Sequence, residues 1–158
     1  MTEEHRREIR TFVRRPGRMT ASQREALQAL APRYCLPADA SLIEPATIFG
    51  RVAPLLVEIG FGMGDSLVTL AAANPRWNVL GIEVHEPGVG RCLHQANEQG
   101  LKYFRVIMQD AVMVLRDRLP VGSVQRLNVY FPDPWPKKRH HKRRLINPPF
   151  LDLAARVL

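Results

Sequence analysis

Leu55-Leu56-Val57-Glu58-Ile59-Gly60-Phe61-Gly62-Met63-Gly64 decides the fold. Its first five residues are an apolar run with one acid, which reads as a buried strand. Three glycines at alternate positions follow before a helical pattern opens at Asp65. A strand that stops at glycines and feeds a helix is the first unit of an open α/β sheet. In such sheets ligands bind outside the carboxyl ends of the parallel strands, where glycine lets the backbone come close. The units that follow repeat the plan. Strands are expected over 77–84, 103–108 and 124–131, and helices over 66–73, 87–99, 111–119 and 150–158. That alternation is the signature of a doubly wound α/β sheet.

The kind of ligand follows from charge. A pyrophosphate would rest on the amides at the start of the next helix, yet Glu58 and Asp65 place two carboxylates at that turn. The dinucleotide fingerprint G-x-G-x-x-G also requires glycine where Asp65 stands. A ligand with cationic ends and no phosphate fits better, and S-adenosylmethionine, with an ammonium and a sulfonium, is the common one. The other reading is a turn that serves only strand-to-helix packing. Glu83 ends the second strand, where a carboxylate can accept two hydrogen bonds from a ribose diol. Asp110 follows the third strand and suits two roles, N-cap of the next helix or acceptor from an adenine amino group.

Pro132-Asp133-Pro134-Trp135-Pro136 follows the fourth strand at once. Three prolines in five residues fix φ and remove backbone donors, so the loop is stiff and Asp133 is held in place. A stiff acid beside a tryptophan suits a purine: the carboxylate accepts from its ring N–H and amino group, and the indole stacks.

The net charge of +8 over 158 residues is concentrated. Residues 1–18 contribute +3, with Arg6, Arg7, Arg10, Arg14, Arg15 and Arg18 set against Glu3, Glu4 and Glu8; residues 137–144 contribute +6, and the remainder is −1. Such clustering points to a polyanion, nucleic acid ahead of a membrane surface. The run Lys137, Lys138, Arg139, His140, His141, Lys142, Arg143 and Arg144 abuts the base site and reads as a phosphate-contacting segment. Its two histidines have no further ligands at metal spacing, so no metal is expected. Cys35 and Cys92 read as thiols in a reducing compartment. With neither a membrane-length apolar run nor a signal core, a cytoplasmic protein is expected. Oligomeric state and protein partners leave no sequence signal. Three segments are expected: a basic arm over 1–19, either a disordered tail or a phosphate-contacting arm; a helix and irregular connection over 20–54, opened by a capping box at Thr20 and ending near Pro32; and a cofactor-binding domain over 55–158.

EIGFGMG (58–64), GIEVHEPGVG (81–90), QDA (109–111), PPF (148–150) and above all FPDPWPKKRHHKRR (131–144), together with RRPGRMT (14–20), resemble the tRNA (guanine-N7-)-methyltransferase family over nearly the whole chain. The resemblance implies a Rossmann-like class I methyltransferase fold. It implies S-adenosylmethionine as methyl donor and a guanosine of the tRNA variable loop, usually position 46, as acceptor. Carried over residue by residue, it makes Glu58, Gly60, Gly62, Gly64, Glu83, Asp110 and Asp133 cofactor-binding, with Asp133 also catalytic. Lys137 then touches substrate, and Arg139, His140, His141, Lys142, Arg143 and Arg144 form the tRNA-interacting segment. Family members continue past the position of Leu158 with further strands, so the chain reads as truncated after the fourth strand and its following helix. Two other functions stay open: an amino-group methyltransferase using Asn147-Pro148-Pro149-Phe150, and a tRNA-binding fragment without catalysis.

Overall fold

The computed structural model describes residues 17–130 and 132–158. The elements in order are α1 (Ala21–Tyr34), α2 (Pro45–Phe49), β1 (Leu55–Ile59), α3 (Asp65–Ala73), β2 (Asn78–Ile82), α4 (Glu86–Glu98), β3 (Phe104–Ile107), α5 (Ala111–Met113) running into a π-helical turn (Val114–Arg118), β4 (Arg126–Val129), a 3-10 segment (Lys138–Arg143) and α6 (Pro148–Val157). The four strands form one parallel sheet in the order β3-β2-β1-β4. This is the expected α/β, Rossmann-like arrangement, with the strand order turning back at β1.

Both faces of the sheet are covered, which is why β1 and β2 are buried along their whole length. Alternation along the strands sorts the side chains into two layers. Leu55, Val57 and Ile59 pack with Leu115, Leu119, Phe150 and Val157 on the α5–α6 side. Leu56 packs with Tyr34, Leu67, Val68, Cys92 and Leu93 on the α1–α3–α4 side. Burial pushes the Cys92 thiol up to about 12 and that of Cys35 up to about 11, so both behave as neutral side chains.

Some boundaries differ from expectation for physical reasons. Helix α1 keeps its capping box, Thr20 and Gln23 bonding reciprocally, but runs through Pro32 to Tyr34, whose ring is wholly buried. Proline near a helix end removes few bonds, and burial of Tyr34 outweighs it. The stretch expected to be irregular contains α2, opened by Pro45 at its first turn. It also forms a bridge from Cys35 to Val106, with Leu36 N–H donating to the Val106 carbonyl at 2.8 Å, and so covers the outer edge of β3. Strand β4 is shorter than 124–131: Val124 donates instead to Val157 of α6 at 2.9 Å. The α5 segment changes register at Val114, where the expected α-helix becomes a π-turn. Most of the basic arm, residues 1–16, lies outside the described residues, as does Phe131.

The glycine turn is locked from below. A Cβ on Gly88 would lie 2.0 Å from the Gly62 carbonyl oxygen, and one on Gly90 would lie 2.4 Å from that of Gln23. Helix α4 therefore touches both the turn and the start of α1 through bare backbone. Gly88→Ala is expected to lower stability by about 2–3 kcal/mol, the scale of an overpacked core. Gly100→Ala, strained only by its φ of 63° with nothing near its Cβ, should cost about 1 kcal/mol. Urea unfolding of the two variants checks the order.

Candidate active site

The chemistry-bearing residues gather at the carboxyl ends of β1, β2 and β4. A cleft of about 250 Å³ opens there, lined by Gly60, Glu83, Val84, Gln109, Tyr130, Pro132 and Asp133 among others. Of the sequence-derived residues it brings together Gly60, Glu83 and Asp133. The three glycines divide their work. Gly60 and Gly62 have φ of 70° and 61° and nothing within 4 Å of an added Cβ, so space is open over the turn. Gly64, at φ 86°, caps α3, and its Cβ would strike Cys92 at 2.5 Å. That glycine serves helix packing, whereas Gly60 and Gly62 leave the turn open.

Glu83 is heavily engaged by backbone amides. Its Oε2 accepts from the Gly62 N–H at 2.8 Å, and its Oε1 accepts from Val84 at 2.8 Å and His85 at 3.2 Å. A carboxylate has about four acceptor positions, so a diol would take the open one and compete with the long His85 bond for a second. His85, not an acid, caps α4, its Nδ1 accepting from the Gly88 N–H at 3.3 Å. Asp110 caps α5 through Oδ1, which accepts from Val112 at 2.8 Å and Met113 at 3.2 Å. It borders the cleft between two lining residues, Gln109 and Ala111, without lining it itself.

Glu58 and Asp65 stand elsewhere. Asp65 turns toward α4, where it accepts from Gln95 at 2.7 Å and pairs with Arg91 at 3.1 Å. Its charge is thus spent away from the turn, and the case against a phosphate rests on Glu83 and Asp133. Glu58 points to the α3 face, in a second, open hollow with Asp65, Ser66, Thr69 and Tyr130. It is 1% exposed, and its Oε2 has no hydrogen-bond partner among the described residues. Burial raises its pKa, against the weaker opposing effects of the Ser66 hydroxyl and the Arg126 charge.

The loop after β4 is held by the basic run that follows it. Trp135 sits at φ 40°, a left-handed conformation that a tryptophan rarely adopts. Arg144 clamps this bend, Nε donating to the Pro134 carbonyl at 2.9 Å and an Nη to that of Trp135 at 3.4 Å. Arg143 lies 5.0 Å from the Trp135 ring centroid and the His140 ring meets its edge at 5.5 Å. His140 is kept below its ordinary pKa, first by desolvation and then by Arg139, Arg143, Lys137 and Lys142. A His141 ring nitrogen lies 3.3 Å from the Pro136 carbonyl. Lys137, Lys138, Arg139 and Lys142 are exposed on the 3-10 segment and its start.

Asn147 is committed to structure. Its Oδ1 accepts from Phe150 N–H at 2.9 Å as the cap of α6, and its Nδ2 donates to the Arg144 carbonyl at 2.9 Å. The N-P-P-F segment therefore starts a helix outside the cleft, and an amino-methyltransferase role is not favoured. Val84, Gln109 and Tyr130 also line the cleft, and each lies within two residues of a strand's carboxyl end, which is the signal for them. Among the described residues no group of three His, Cys, Asp or Glu side chains gathers in a metal-binding arrangement, and no helix is long and apolar enough to cross a membrane.

A parallel sheet with an open glycine turn, and with Glu83 and Asp133 lining one cleft at its carboxyl ends, is the arrangement of a Rossmann-like methyltransferase domain. Residues 52–158 match a family model described as a putative methyltransferase. Two curated relatives, both named tRNA (guanine-N(7)-)-methyltransferase, are 50% identical to the chain. One, from Halorhodospira halophila, aligns with 96% of this chain and 66% of its own length; the other, from Yersinia pseudotuberculosis, with 96% and 64%. A phosphoethanolamine N-methyltransferase 2 of Haemonchus contortus shares the fold, with TM-score 0.51 at 15% identity over 70% of this chain and 23% of that one. The chain belongs to the tRNA (guanine-N(7)-)-methyltransferase family, as the FPDPWPKKRHHKRR stretch implies, and spans about two thirds of the length of the curated relatives it matches.

The buried Glu58 gives a pH test. Its folded pKa is raised, so its stabilising contribution is complete below the unfolded value of 4.5 and is lost as pH rises through the folded pKa. Glu58→Gln is expected to melt higher than the parent at pH 8, with the gap closing as pH falls toward 4.5. Melting temperature against pH checks it; a gap that widens on acidification would show that burial does not dominate.

Proposed function

We propose that this chain is the cofactor- and guanine-binding part of a cytoplasmic enzyme that methylates N7 of a guanosine in the tRNA variable loop, position 46, giving 7-methylguanosine. The observation that carries this reading is that Glu83 and Asp133 line one cleft in a chain half identical to curated enzymes of that activity. S-adenosylmethionine, when bound, supplies an electrophilic methyl group. The residues present suit it: open space over Gly60 and Gly62, a ribose-type acceptor at Glu83, and no cation among the described residues that line the cleft. Asp110 stands at the adenine end. The unpartnered Glu58 oxygen offers a place for an ammonium from the α3 side.

Guanine N7 has a lone pair and no proton, so the reaction needs no base at that atom. Alignment is the main task, and in favourable cases positioning lowers a barrier by about 7–11 kcal/mol. Asp133 accepts from the N1–H and the amino group of guanine, orients the ring, and offsets the positive charge that develops on it. Lys137, Arg139, His140, His141, Lys142, Arg143 and Arg144 face the tRNA, in two ways. The exposed Lys137, Arg139 and Lys142 suit phosphate contact, whereas Arg144 holds the loop that carries Asp133. A base that stacks on the Trp135 face covered by Arg143 would displace that guanidinium.

Transfer of labelled methyl from S-adenosylmethionine to unmodified tRNA, with the nucleoside identified, is the decisive experiment. Formation of 7-methylguanosine is expected. N6-methyladenosine would restore the N-P-P-F reading, and retained tRNA binding without transfer would make this chain an RNA-binding fragment. Asp133→Asn should lower turnover at least about 100-fold while changing cofactor affinity little; equal losses would mean that Asp133 mainly holds the cofactor. About six phosphate contacts give a slope near −5 for log affinity against log salt, and Lys142→Ala should reduce that slope by about 1.

A further inference from the structure

One buried cation takes no part in the chemistry above and yet holds a wall of the cleft. Arg118 ends the π-helical turn after α5, and its side chain is 3% exposed. Its Nε donates to the Ser41 carbonyl at 2.7 Å, Nη1 to the Pro37 carbonyl at 2.7 Å and to Gln109 Oε1 at 2.8 Å, and Nη2 to Ser41 Oγ at 3.3 Å, with Asp39 paired at 3.1 Å. Gln109 completes the ring by donating through Nε2 to the Asp39 carbonyl at 3.1 Å. Both ends of the Gln109 amide are therefore fixed, the oxygen by Arg118 and the nitrogen by a chain reversal that Arg118 itself organises. Gln109 lines the cleft and directly precedes Asp110.

A buried guanidinium is expensive to desolvate, and where only stability is at stake an apolar side chain serves as well or better. This one spends its planar fork mostly on neutral acceptors from two separate segments, 37–41 and Gln109, beside the half-exposed carboxylate of Asp39. It comes from a π-turn, a deformation that recurs at functional sites because it redirects one side chain within a helix. We propose that Arg118 is a positioning residue: by fixing the amide plane of Gln109 it sets the cleft wall beside Asp110 against which a flat heteroaromatic base lies. The identity of that base as the adenine of the cofactor rests on the function proposed above. With Arg118 removed, the Gln109 amide is released from Oε1 and turns, and the wall loses its fixed orientation.

The test uses the full chain and two readouts, with Arg118→Met, Arg118→Lys and Gln109→Ala. The first readout needs no cofactor. The side-chain amide resonances of Gln109, assigned by their disappearance in Gln109→Ala, should exchange slowly with water in the parent and lose that protection in Arg118→Met. Arg118→Lys, which keeps the charge and loses the fork, should fall between and serves if the methionine variant does not fold. The second is S-adenosylhomocysteine affinity by calorimetry: Arg118→Met should weaken it about 10-fold in the parent and less than about 2-fold in the Gln109→Ala background. Unchanged Gln109 resonances in a folded variant would overturn the proposal, and so would equal weakening in both backgrounds. If the parent binds no S-adenosylhomocysteine while the resonances still move, the cofactor reading fails and the hold of Arg118 on Gln109 stands.

Discussion

The carboxylate of Glu83 ties together the two turns that make the cleft. One of its oxygens takes the Gly62 amide from the turn after β1, and the other takes the Val84 and His85 amides from the turn after β2. Charge-assisted bonds of this kind are stronger than neutral ones, and here they join segments that the sheet leaves side by side but unpaired. The contact of Gly88 with the Gly62 carbonyl sets the same turn from the other side. The glycine loop is therefore fixed at its amide and at its carbonyl before any ligand arrives. A preorganised turn of this sort spares a ligand the cost of ordering it.

A different device holds Asp133. The loop from Pro132 to Pro136 has few backbone donors, so it cannot be secured by a ladder, and Trp135 takes a left-handed bend. Arg144, ten residues beyond Pro134, supplies the missing donors. The basic run thus folds back on the loop it follows, Arg143 and His140 packing on the indole. Exposed positive charge and loop support therefore reside together in the 3-10 segment and the Arg144 that caps it. The basic run and the orientation of Asp133 are mechanically linked through Arg144, and the left-handed bend at Trp135 is held by that clamp.

The sheet was legible in the sequence because its two central strands, β1 and β2, are buried on both faces and are followed at once by Gly60 and Glu83. Leu55–Ile59 followed by Gly60, the Asn147–Pro148 cap and the Thr20 capping box all obey local rules. Their positions in the structure match within a residue or two. What could not be read depends on neighbours distant in sequence. Asp65 looked like a charge at the turn, and only the packing of α4 shows that Arg91 and Gln95 draw it away. Gly64 was indistinguishable from Gly60 by spacing, and Cys92 separates them. The π-turn that buries Arg118 has no pattern of its own, since 111–119 carries ordinary helical periodicity and the change of register follows from packing against α6 and the 37–43 segment.

Glu58 shows why a cofactor residue named by motif need not stand in the cleft itself. Strand alternation forces it to the face opposite Ile59, so its carboxylate is buried with the α3 layer while its neighbour lines the cleft. In register across β1 and β4 it stands opposite Asn128, and both side chains carry an unpartnered polar atom, Oε2 on one and Nδ2 on the other. A buried carboxylate with an open acceptor beside an amide with an open donor is a costly arrangement unless something answers each. Turning toward one another would satisfy both, at the expense of the Asn128 bond to Arg126 and the long Ser66 bond to Glu58. A donor entering from the hollow by Tyr130 would satisfy Glu58 without either loss, so the same burial that raises the pKa of this acid also makes it a strong acceptor for a charged N–H group.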